Sequence, residues 1–581
     1  MNVLIEADNV TFAYPDDPKK IINNLSLQVK KGDFIAIIGV NGSGKTTLAR
    51  LFNGLLKPVS GWVKVAGMDT RNLECTDAIY TTVGMVFQFP EDQIISTIVE
   101  EDVAFGPENL GIPAREIRQR VNKALHIVGL WDQRLRPSHM LSAGEIQRLA
   151  LAGILAMRPH CLIFDEPTSM LDPRGRRMVM EMLADLHRKG FTILLITHNM
   201  EEATKANHII VLDHGKIAMH GSPSQVFSKP EQLHRFGLDL PEPIKIINVL
   251  RKYIPGLSTN LLTLKGLIDT IPMFTGKRII WKEKARVRTF QQLVAPIIEV
   301  KGLSHIYMKD TPLAHQSLDD ISLQVNKCSS LGMMGATGSG KSTLLLHLNG
   351  LLRPQSGSVR VGSYDLTDRR VQTKTVTQFV GLVFQNPEMQ FFEQYAGDEI
   401  AFGPRLQSNL EEPLADRVRW AMEMVGLDFE AYKDRFMFSL SGGERRKVAL
   451  ASTLALKPDI LLLDEPTAGL DPASHKDLLG RLKKMQSSGM TLVISSHNME
   501  DIAALVEQAV VLNNGKVIFS GLVADVFAKI DELEAIGLEP PLVSRFAELM
   551  RKKNWPLPCG IITLSMLEKA IASCLVLEQD E

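Results

Sequence analysis

The stretch GVNGSGKTT at residues 39–47 decides the fold of this chain. The apolar run FIAIIG at residues 34–39 leads into it and indicates a buried strand. Glycines then stand where a backbone must turn tightly and approach a ligand, and a Lys-Thr pair follows the last of them. A strand, a glycine-rich loop and a helix start together form a cradle of backbone N–H groups for phosphate. The sequence therefore predicts a nucleoside phosphate site in an α/β fold.

An internal repeat divides the 581 residues into two copies of one unit. The phosphate loop recurs as GATGSGKST at residues 335–343, and three further motifs recur in the same order. These pairs are LSAGE (141–145) with LSGGE (440–444), FDEPTSMLDP (164–173) with LDEPTAGLDP (463–472), and THNMEE (197–202) with SHNMED (496–501). We predict four segments: a first core at 1–230, its C-terminal extension and the junction at 231–295, a second core at 296–530, and its extension at 531–581.

Composition excludes several classes of protein. The chain has 65 Lys and Arg against 66 Asp and Glu, so it lacks the basic excess expected of a nucleic-acid binder. Its 5 cysteines form no CxxC pair and have no histidine at zinc-finger spacing, which argues against a disulfide scaffold or a cysteine-based metal site and fits a reducing cytoplasm. We find neither a signal peptide nor a run of about 18 apolar residues, so we predict no membrane span.

The phosphate loops supply the first set of candidate site residues. We expect Lys45 and Lys341 to reach the β- and γ-phosphates, and the hydroxyls of Thr46 and Ser342 to bind Mg²⁺. The residues expected to hold the nucleotide are Gly39, Asn41, Gly42, Ser43, Gly44, Lys45, Thr46 and Thr47 in the first copy, and Gly335, Thr337, Gly338, Ser339, Gly340, Lys341, Ser342 and Thr343 in the second.

A pair of acids ends each of the strands predicted from CLIFDE and ILLLDE. Such a strand delivers both carboxylates beside the phosphates, because the carboxyl ends of parallel strands meet at one edge of the sheet. We expect Asp165 and Asp464 to hold Mg²⁺, mostly through water. Glu166 and Glu465 are then placed to polarise the attacking water.

Together, the phosphate loop, LSxGE, DEPT and the following HN resemble the motifs of ATP-binding cassette (ABC) ATPases, and the resemblance covers both copies. It implies two P-loop NTPase (RecA-like) cassettes, each with antiparallel β and α-helical subdomains and a small C-terminal extension. It also implies ATP and Mg²⁺ as cofactors. The cassettes are expected to pair within the chain, so that the LSxGE residues of one close the ATP of the other: Ser142 and Gly144, and Ser441, Gly442 and Gly443.

The resemblance assigns further residues. His198 and His497 are expected to contact the γ-phosphate, and Gln88 and Gln385 to lie near the metal and the attacking water. Tyr14 and Tyr307 are expected to stack on adenine, although packing is the alternative. Glu replaces the commoner Gln in both LSxGE motifs, and Ala143 replaces Gly in the first; we expect both changes to be tolerated. Because neither copy lacks a catalytic group, we predict two hydrolytic sites.

The segments FQFPEDQ…AFGP (87–107) and FQNPEMQ…AFGP (384–404) resemble the energy-coupling factor (ECF) and cobalt/nickel branch of ABC importers. That branch implies a transmembrane coupling protein and a small substrate-binding membrane subunit as partners, no nucleic acid, and a peripheral position on the cytoplasmic face of the membrane. The transported vitamin or metal ion is not encoded here. The alternatives are the fused ATPase of a sugar-type importer and a soluble tandem ABC protein acting on ribosomes.

These segments also suggest a docking groove from their own residues. Apolar pairs stand at residues 94–95 and 391–392, and the acids Glu100, Glu101, Asp102, Asp398 and Glu399 follow them. We expect the apolar residues to receive a partner helix and the acids to pair with its arginines. The alternative is that the apolar residues belong to the core and the acids form a solvated face.

Overall fold

The computed structural model describes residues 3–15, 19–169, 171–254, 257, 261–271, 279–280, 296–311, 313–407, 410, 412–574 and 576–577. Most of the predicted junction, residues 281–295, therefore lies outside the described residues. The chain forms two compact units: Met1–Ile244 with Thr259–Leu262 and Asp471–Ala473, and Lys245–Ser258 with Thr263–Leu470 and Ser474–Glu581. The four predicted segment boundaries remain predictions. Among the described residues, no helix combines the length and the apolar character needed to cross a membrane.

The strands of the first unit form two sheets. They are β1 (Val3–Phe12), β2 (Ile22–Lys30), β3 (Phe34–Ile38), β4 (Ser60–Val65), β5 (Met68–Asp69), β6 (Val83–Val86), β7 (Cys161–Asp165), β8 (Thr192–Ile196), β9 (His208–Asp213) and β10 (Lys216–Gly221). One sheet is antiparallel in the order β2-β1-β4-β5; the other has the order β10-β9-β3-β8-β7-β6, in which only β10 is antiparallel. Every residue of β3, β7 and β8 is buried, as expected for parallel strands covered on both faces.

The helices of the first unit cover these sheets. They are α1 (Lys45–Asn53), α2 (Thr76–Thr82), α3 (Val99–Asn109), α4 (Ala114–Val128), α5 (Ala143–Ala156), α6 (Pro173–Arg188), α7 (Met200–Ala203), α8 (Pro223–Phe227) and α9 (Pro230–Arg235). Helix α6 shows how local sequence sets a boundary. The Asp172 carboxylate accepts the Gly175 N–H at 2.7 Å and Pro173 occupies the first turn, so the helix starts immediately after Asp172.

The extension of the first copy contains α10 (Glu242–Arg251), α11 (Leu264–Thr270) and β11 (Ile279–Ile280). Within the second unit it packs against the extension of the second copy. Lys252 forms an ion pair with Glu568 at 2.6 Å, and the Lys553 ammonium donates to the Ile271 carbonyl at 3.3 Å. The two extensions therefore share contacts, which their repeated sequence did not reveal.

The second unit repeats the topology of the first. Its strands are β12 (Pro296–Tyr307), β13 (His315–Asn326), β14 (Ser330–Met334), β15 (Ser356–Val361), β16 (Tyr364–Asp365), β17 (Val380–Val383), β18 (Ile460–Asp464), β19 (Thr491–Ser495), β20 (Gln508–Asn513), β21 (Lys516–Leu522) and β22 (Val576–Leu577). Its helices are α12 (Lys341–Leu348), α13 (Thr373–Phe379), α14 (Ala396–Arg405), α15 (Leu414–Val425), α16 (Phe429–Tyr432), α17 (Gly442–Leu454), α18 (Pro472–Ser487), α19 (Met499–Leu505), α20 (Val523–Phe527), α21 (Ile530–Ala535), α22 (Leu542–Lys552) and α23 (Leu564–Cys574). The sheet orders are β13-β12-β15-β16 and β17-β18-β19-β14-β20-β21.

A buried histidine pair distinguishes the core of the second unit. His305 on β12 and His347 on α12 lie with ring centroids 4.9 Å apart, and His347 is fully buried. Phe12 and Leu51 occupy the corresponding positions of the first copy. Burial, followed by the neighbouring charge of His305, lowers the pKa of His347 to about 4.

This pair predicts a source of acid sensitivity that Phe12 and Leu51, at the corresponding positions of the first core, cannot supply. His347 is neutral when folded, whereas an unfolded histidine takes up a proton below about pH 6.5. Its contribution to stability is therefore complete above that pH and is lost as the pH falls toward 4, by on the order of 2–3 kcal/mol. Urea unfolding of the full chain at pH 7 and pH 4.5 measures this change. His347→Leu should flatten the pH dependence, whereas the exposed-site control His139→Leu should not; an unchanged slope in His347→Leu would contradict the account.

Candidate active sites

In each copy, the lysine of the phosphate loop donates hydrogen bonds to backbone carbonyls of the same loop. In the first copy the Lys45 ammonium donates to the carbonyls of Gly39 at 2.9 Å and Val40 at 3.0 Å. Lys341 makes the same bonds to Gly335 at 2.7 Å and Ala336 at 3.1 Å. A Cβ on Gly39 would lie 2.4 Å from the Leu212 carbonyl oxygen, so the close approach of the loop requires glycine.

The positive charge at the first phosphate loop favours binding of an anion. Burial lowers the pKa of the Lys45 ammonium, and the carboxylates of Glu166 and Asp165 oppose that shift. The hydroxyls of Ser43 and Ser339, in the corresponding positions of the two loops, are buried and have no hydrogen-bond partner in the described part of the chain. A buried cation with unused polar groups beside it fits a triphosphate, whose oxygens would satisfy them.

A hydroxyl and a carboxylate meet beside each loop. Ser342 Oγ donates to Asp464 Oδ2 at 2.7 Å, and Ser495 donates to the other oxygen of the same carboxylate. In the first copy, burial raises the pKa of Asp165 to about 6, although a hydrogen bond from Thr46 acts to lower it. Hard oxygen donors of this kind fit Mg²⁺, which takes one or two protein ligands and completes its shell with phosphate and water. Thr46 with Asp165, and Ser342 with Asp464, are the residues that would hold it.

In both copies the predicted base lies beside the histidine that is expected to contact the γ-phosphate, here called the switch histidine. His198 Nδ1 lies 3.3 Å from Glu166 Oε2, and Gln88 Nε2 donates to the same oxygen at 3.1 Å. In the second copy His497 Nδ1 lies 2.7 Å from Glu465 Oε2. Burial by itself raises the pKa of each Glu, but the adjacent histidine and the P-loop lysine outweigh it and hold the pKa below its ordinary value. Each Glu is therefore ionised at neutral pH and able to accept a proton.

The backbone at both glutamates is left-handed. Glu166 and Glu465 each have φ of 48°, although neither is glycine. The Glu166 N–H donates to the Ile196 carbonyl at 3.0 Å, and the Glu465 N–H donates to Ser495 at 3.0 Å, so the neighbouring strand holds the residue there. Strained backbone of this kind persists where surrounding contacts over-determine it, and it clusters at functional sites.

The candidate adenine-stacking tyrosines contact the phosphate-loop helix; Tyr14 lies two residues after β1 and Tyr307 is the last residue of β12. Tyr14 Oη lies 3.2 Å from Thr47 Oγ1, and Tyr307 Oη lies 3.3 Å from Thr343 Oγ1. Each of the two tyrosine residues is 37% exposed. The hydroxyl anchors one edge of each ring while its exposed surface leaves room for a base, so both tyrosines stay candidates for stacking.

The LSxGE residues lie at the starts of α5 and α17. Their Glu has a local role: the Ser142 N–H donates to Glu145 Oε2 at 2.8 Å, and the Ser441 N–H donates to Glu444 Oε2 at 2.8 Å. Each Ser and Glu form a capping box that starts the helix. The spacing S-x-x-E could have predicted this bond, and because Glu and Gln can both accept the serine N–H, it explains why Glu is tolerated where Gln is commoner.

Sequence reasoning missed Arg446, which stands two residues after Glu444. Its guanidinium donates to the carbonyl oxygens of Glu465 at 2.7 Å and Gln385 at 3.0 Å, and burial lowers its pKa to about 10. The first copy has Gln147 at this position. The two candidate sites thus differ in how the backbone of the acid is held.

The acids predicted to receive a partner's arginines are not all available, and for two of them that expectation is wrong. Asp102 is buried and accepts the N–H groups of Ile95 at 2.7 Å and Ser96 at 3.0 Å. Glu399 is buried and accepts those of Phe392 at 2.8 Å and Glu393 at 2.9 Å. Both carboxylates satisfy backbone donors and shape the preceding loop.

The sequence left open whether the apolar pairs of these loops belong to the core or to a docking surface, and each pair does both. Ile94 and Phe391 pack against the core, whereas Ile95 and Phe392 are 63% and 76% exposed. One residue of each pair is structural and the other faces outward.

The chain matches the family model described as ABC transporter at residues 22–169 and 318–468. It is 34% identical to an ABC transporter ATP-binding protein of Methanosarcina mazei, across 98% of this chain and 97% of that protein. A second such protein, from Caldanaerobacter subterraneus subsp. tengcongensis, is 34% identical across 94% of this chain and 96% of its own length. The energy-coupling factor transporter ATP-binding protein EcfA1 of the same organism is 48% identical, across 47% of this chain and 99% of that protein. The chain belongs to the ABC transporter family, as a tandem ATPase that binds ATP with Mg²⁺ in two P-loop cassettes.

Proposed function

We propose that this chain is the motor subunit of an ECF-type importer, which powers uptake of a vitamin or metal-ion micronutrient through separate membrane subunits. Its partners would be a transmembrane coupling protein and a small substrate-binding membrane protein, and it would lie at the cytoplasmic face of the membrane. The observation that carries the proposal is an exposed apolar face beside the FQxPExQ loop in each copy. The similarity to an energy-coupling factor ATPase supports the same branch.

The first docking face consists of Ile95, Leu135 and Met140, which are all exposed. Two segments carry them and are held together by backbone bonds. The Ser138 N–H donates to the Thr97 carbonyl at 2.9 Å, and Ile98 bridges to Pro137. The face is therefore fixed in shape before any partner binds, which lowers the entropic cost of docking.

The second docking face consists of Phe392, Tyr395, Phe436 and Phe438, which are also exposed. Tyr395 and Phe436 lie with ring centroids 6.2 Å apart, and Phe436 and Phe438 5.4 Å apart. An exposed aromatic cluster on a folded surface is a recognised sign of a protein interface. Because the first face is aliphatic and the second aromatic, the partner is expected to present two different segments.

We propose residue roles that the geometry supports. The lysines and the serine hydroxyls hold the phosphate chain, and the hydroxyl–carboxylate pairs hold Mg²⁺, which supplies charge neutralisation when bound. Glu166 and Glu465 accept a proton from the attacking water. His198 and His497 orient that carboxylate and can donate to the phosphate, and Gln88 fixes one of its oxygens in the first copy.

Docking predicts a loss of assembly without a loss of ATP binding. Phe392→Ser with Phe438→Ser removes two exposed aromatic anchors, each of which typically contributes about tenfold or more in affinity at an interface. Co-purification of membrane proteins in gentle detergent, followed by mass spectrometry, measures assembly and identifies the partners and any bound micronutrient. Ile95→Ser with Leu135→Ser should weaken it separately.

Leu73→Ser is the matched control, because Leu73 is 79% exposed, close to the 76% of Phe392. Assembly should be unchanged in that variant. If both face variants retain their membrane partners at wild-type yield, docking at these faces is wrong. Recovery of ribosomes in place of membrane proteins would favour the soluble tandem class instead.

A further inference from the structure

A buried carboxylate outside the proposed catalytic set lies behind each site. Glu202 on α7 and Asp501 on α19 occupy corresponding positions four residues after the switch histidine, and they are 4% and 2% exposed. A carboxylate buried to this degree is costly unless it is hydrogen-bonded. Its partners therefore show what it holds in place.

In the first copy the carboxylate joins two catalytic segments. Thr168 Oγ1 donates to Glu202 Oε1 at 2.6 Å, and Thr197 Oγ1 donates to Oε2 at 2.7 Å. Thr168 stands two residues after Glu166, and Thr197 directly precedes His198. One side chain thus connects the turn that carries the base to the segment that carries the histidine.

The Thr197 hydroxyl takes part in hydrogen bonds that involve the residues on both sides of His198. The Asn199 N–H donates to Thr197 Oγ1 at 3.0 Å, while that hydroxyl donates onward to Glu202. The Arg176 guanidinium of α6 lies 3.7 Å away and adds a positive charge. Hydrogen bonds that lead to Glu202 therefore place His198, and the turn that carries Glu166 is bonded to the same Glu202 carboxylate.

The second copy builds the connection with different residues. Thr467 donates to Asp501, and His475 Nε2 lies 2.8 Å from Asp501 Oδ1, in the position that Arg176 takes in the first copy. Ser496 replaces Thr197, and its hydroxyl accepts the Asn498 N–H at 2.9 Å. The bond between the threonine and the carboxylate is the feature that both copies keep.

We infer that Glu202 and Asp501 are positioning residues for ATP hydrolysis. Through Thr168 and Thr467 they hold the left-handed turn at Glu166 and Glu465, where φ is 48°, against the segment that carries the histidine. They belong to neither set of residues expected to hold the nucleotide, so we expect their effect to fall on the alignment of the base rather than on binding. The inference rests on the proposed assignment of Glu166 and Glu465 as the bases.

Thr168→Val with Thr467→Val tests this in the full chain, because valine keeps the shape and removes the donor. We expect kcat for ATP hydrolysis to fall about tenfold or more, as misplaced catalytic groups do, with KM for MgATP within about twofold. Thr168→Ser with Thr467→Ser keeps the hydroxyl and should restore most of kcat. Glu202→Met with Asp501→Leu removes the acceptor instead of the donor and should reproduce the fall in kcat, again with KM for MgATP within about twofold.

Two results would overturn the positioning role. One is a wild-type kcat in the valine pair. The other is a parallel loss of kcat, MgATP affinity and thermal stability that serine does not restore, which would indicate a purely structural role. Glu166→Gln with Glu465→Gln, measured alongside, separates the underlying assignment: turnover retained there overturns the choice of base, whatever the threonine variants do.

Discussion

ATP turnover by the full chain is expected to fall by at least about 100-fold when Glu166 and Glu465 are both replaced by Gln. Each carboxylate is buried, held by a histidine and kept ionised, since the pKa of both is lowered. An amide at the same position keeps the size of the side chain but cannot accept a proton from water. The phosphate loops are untouched, so MgATP should bind and remain unhydrolysed. Steady-state hydrolysis and the nucleotide retained after gel filtration measure the two effects.

The matched control changes the same chemical group elsewhere. Glu145→Gln with Glu444→Gln also converts two acids to amides, but these acids lie in the first turns of α5 and α17, where each accepts a serine backbone N–H. Their amide oxygens can still accept the serine N–H, so turnover should stay within about twofold. Hydrolysis at the wild-type rate in the Glu166 and Glu465 pair would remove both residues from the proposed mechanism.

The second large effect is expected at the phosphate loops. Lys45→Met with Lys341→Met removes the buried ammonium from each loop and leaves the carbonyls of Gly39 and Gly335 without their donor. A hydrogen bond to a charged group contributes roughly 1.5–3 kcal/mol, so we expect the affinity for MgATP to fall roughly 10- to 100-fold. Equilibrium dialysis with labelled nucleotide measures it.

The single variants give the sharper result. In the Glu166→Gln, Glu465→Gln background, which prevents hydrolysis, each single lysine change should reduce the bound nucleotide from two equivalents to one. The remaining site should keep an affinity near its original value. Full occupancy by two nucleotides in either single variant, at unchanged affinity, would show that the lysine concerned does not hold phosphate.

The sequence motifs were sufficient to predict the sheet edges and the grouping of Lys45, Asp165, Glu166, Gln88 and His198. Glycine-rich loops and strand-terminal acids are local patterns, and parallel strands bring their ends together whatever the intervening sequence. The fold class, the tandem ABC family, ATPase activity and the ATP and Mg²⁺ requirement are confirmed. The segment boundaries and the roles of individual residues stay predictions.

The features that sequence reasoning missed depend on burial and on contacts between distant segments. Asp102 and Glu399 follow apolar pairs as exposed acids would, yet their carboxylates turn inward to satisfy loop N–H groups. The bond from Thr168 to Glu202 spans 34 residues, and no periodicity signals it. Arg446 stands in a basic run whose neighbours give no sign that one guanidinium is buried.

The histidine pair of the second core has a practical consequence. His347 lies on the helix that begins with Lys341, and its counterpart Leu51 carries no imidazole. With isotope-enriched histidine, the ring signals of His305 and His347 would form a native NMR probe inside one cassette only. Changes in those signals on adding nucleotide would report on the second P-loop, so its filling could be distinguished from that of the first without attaching a label.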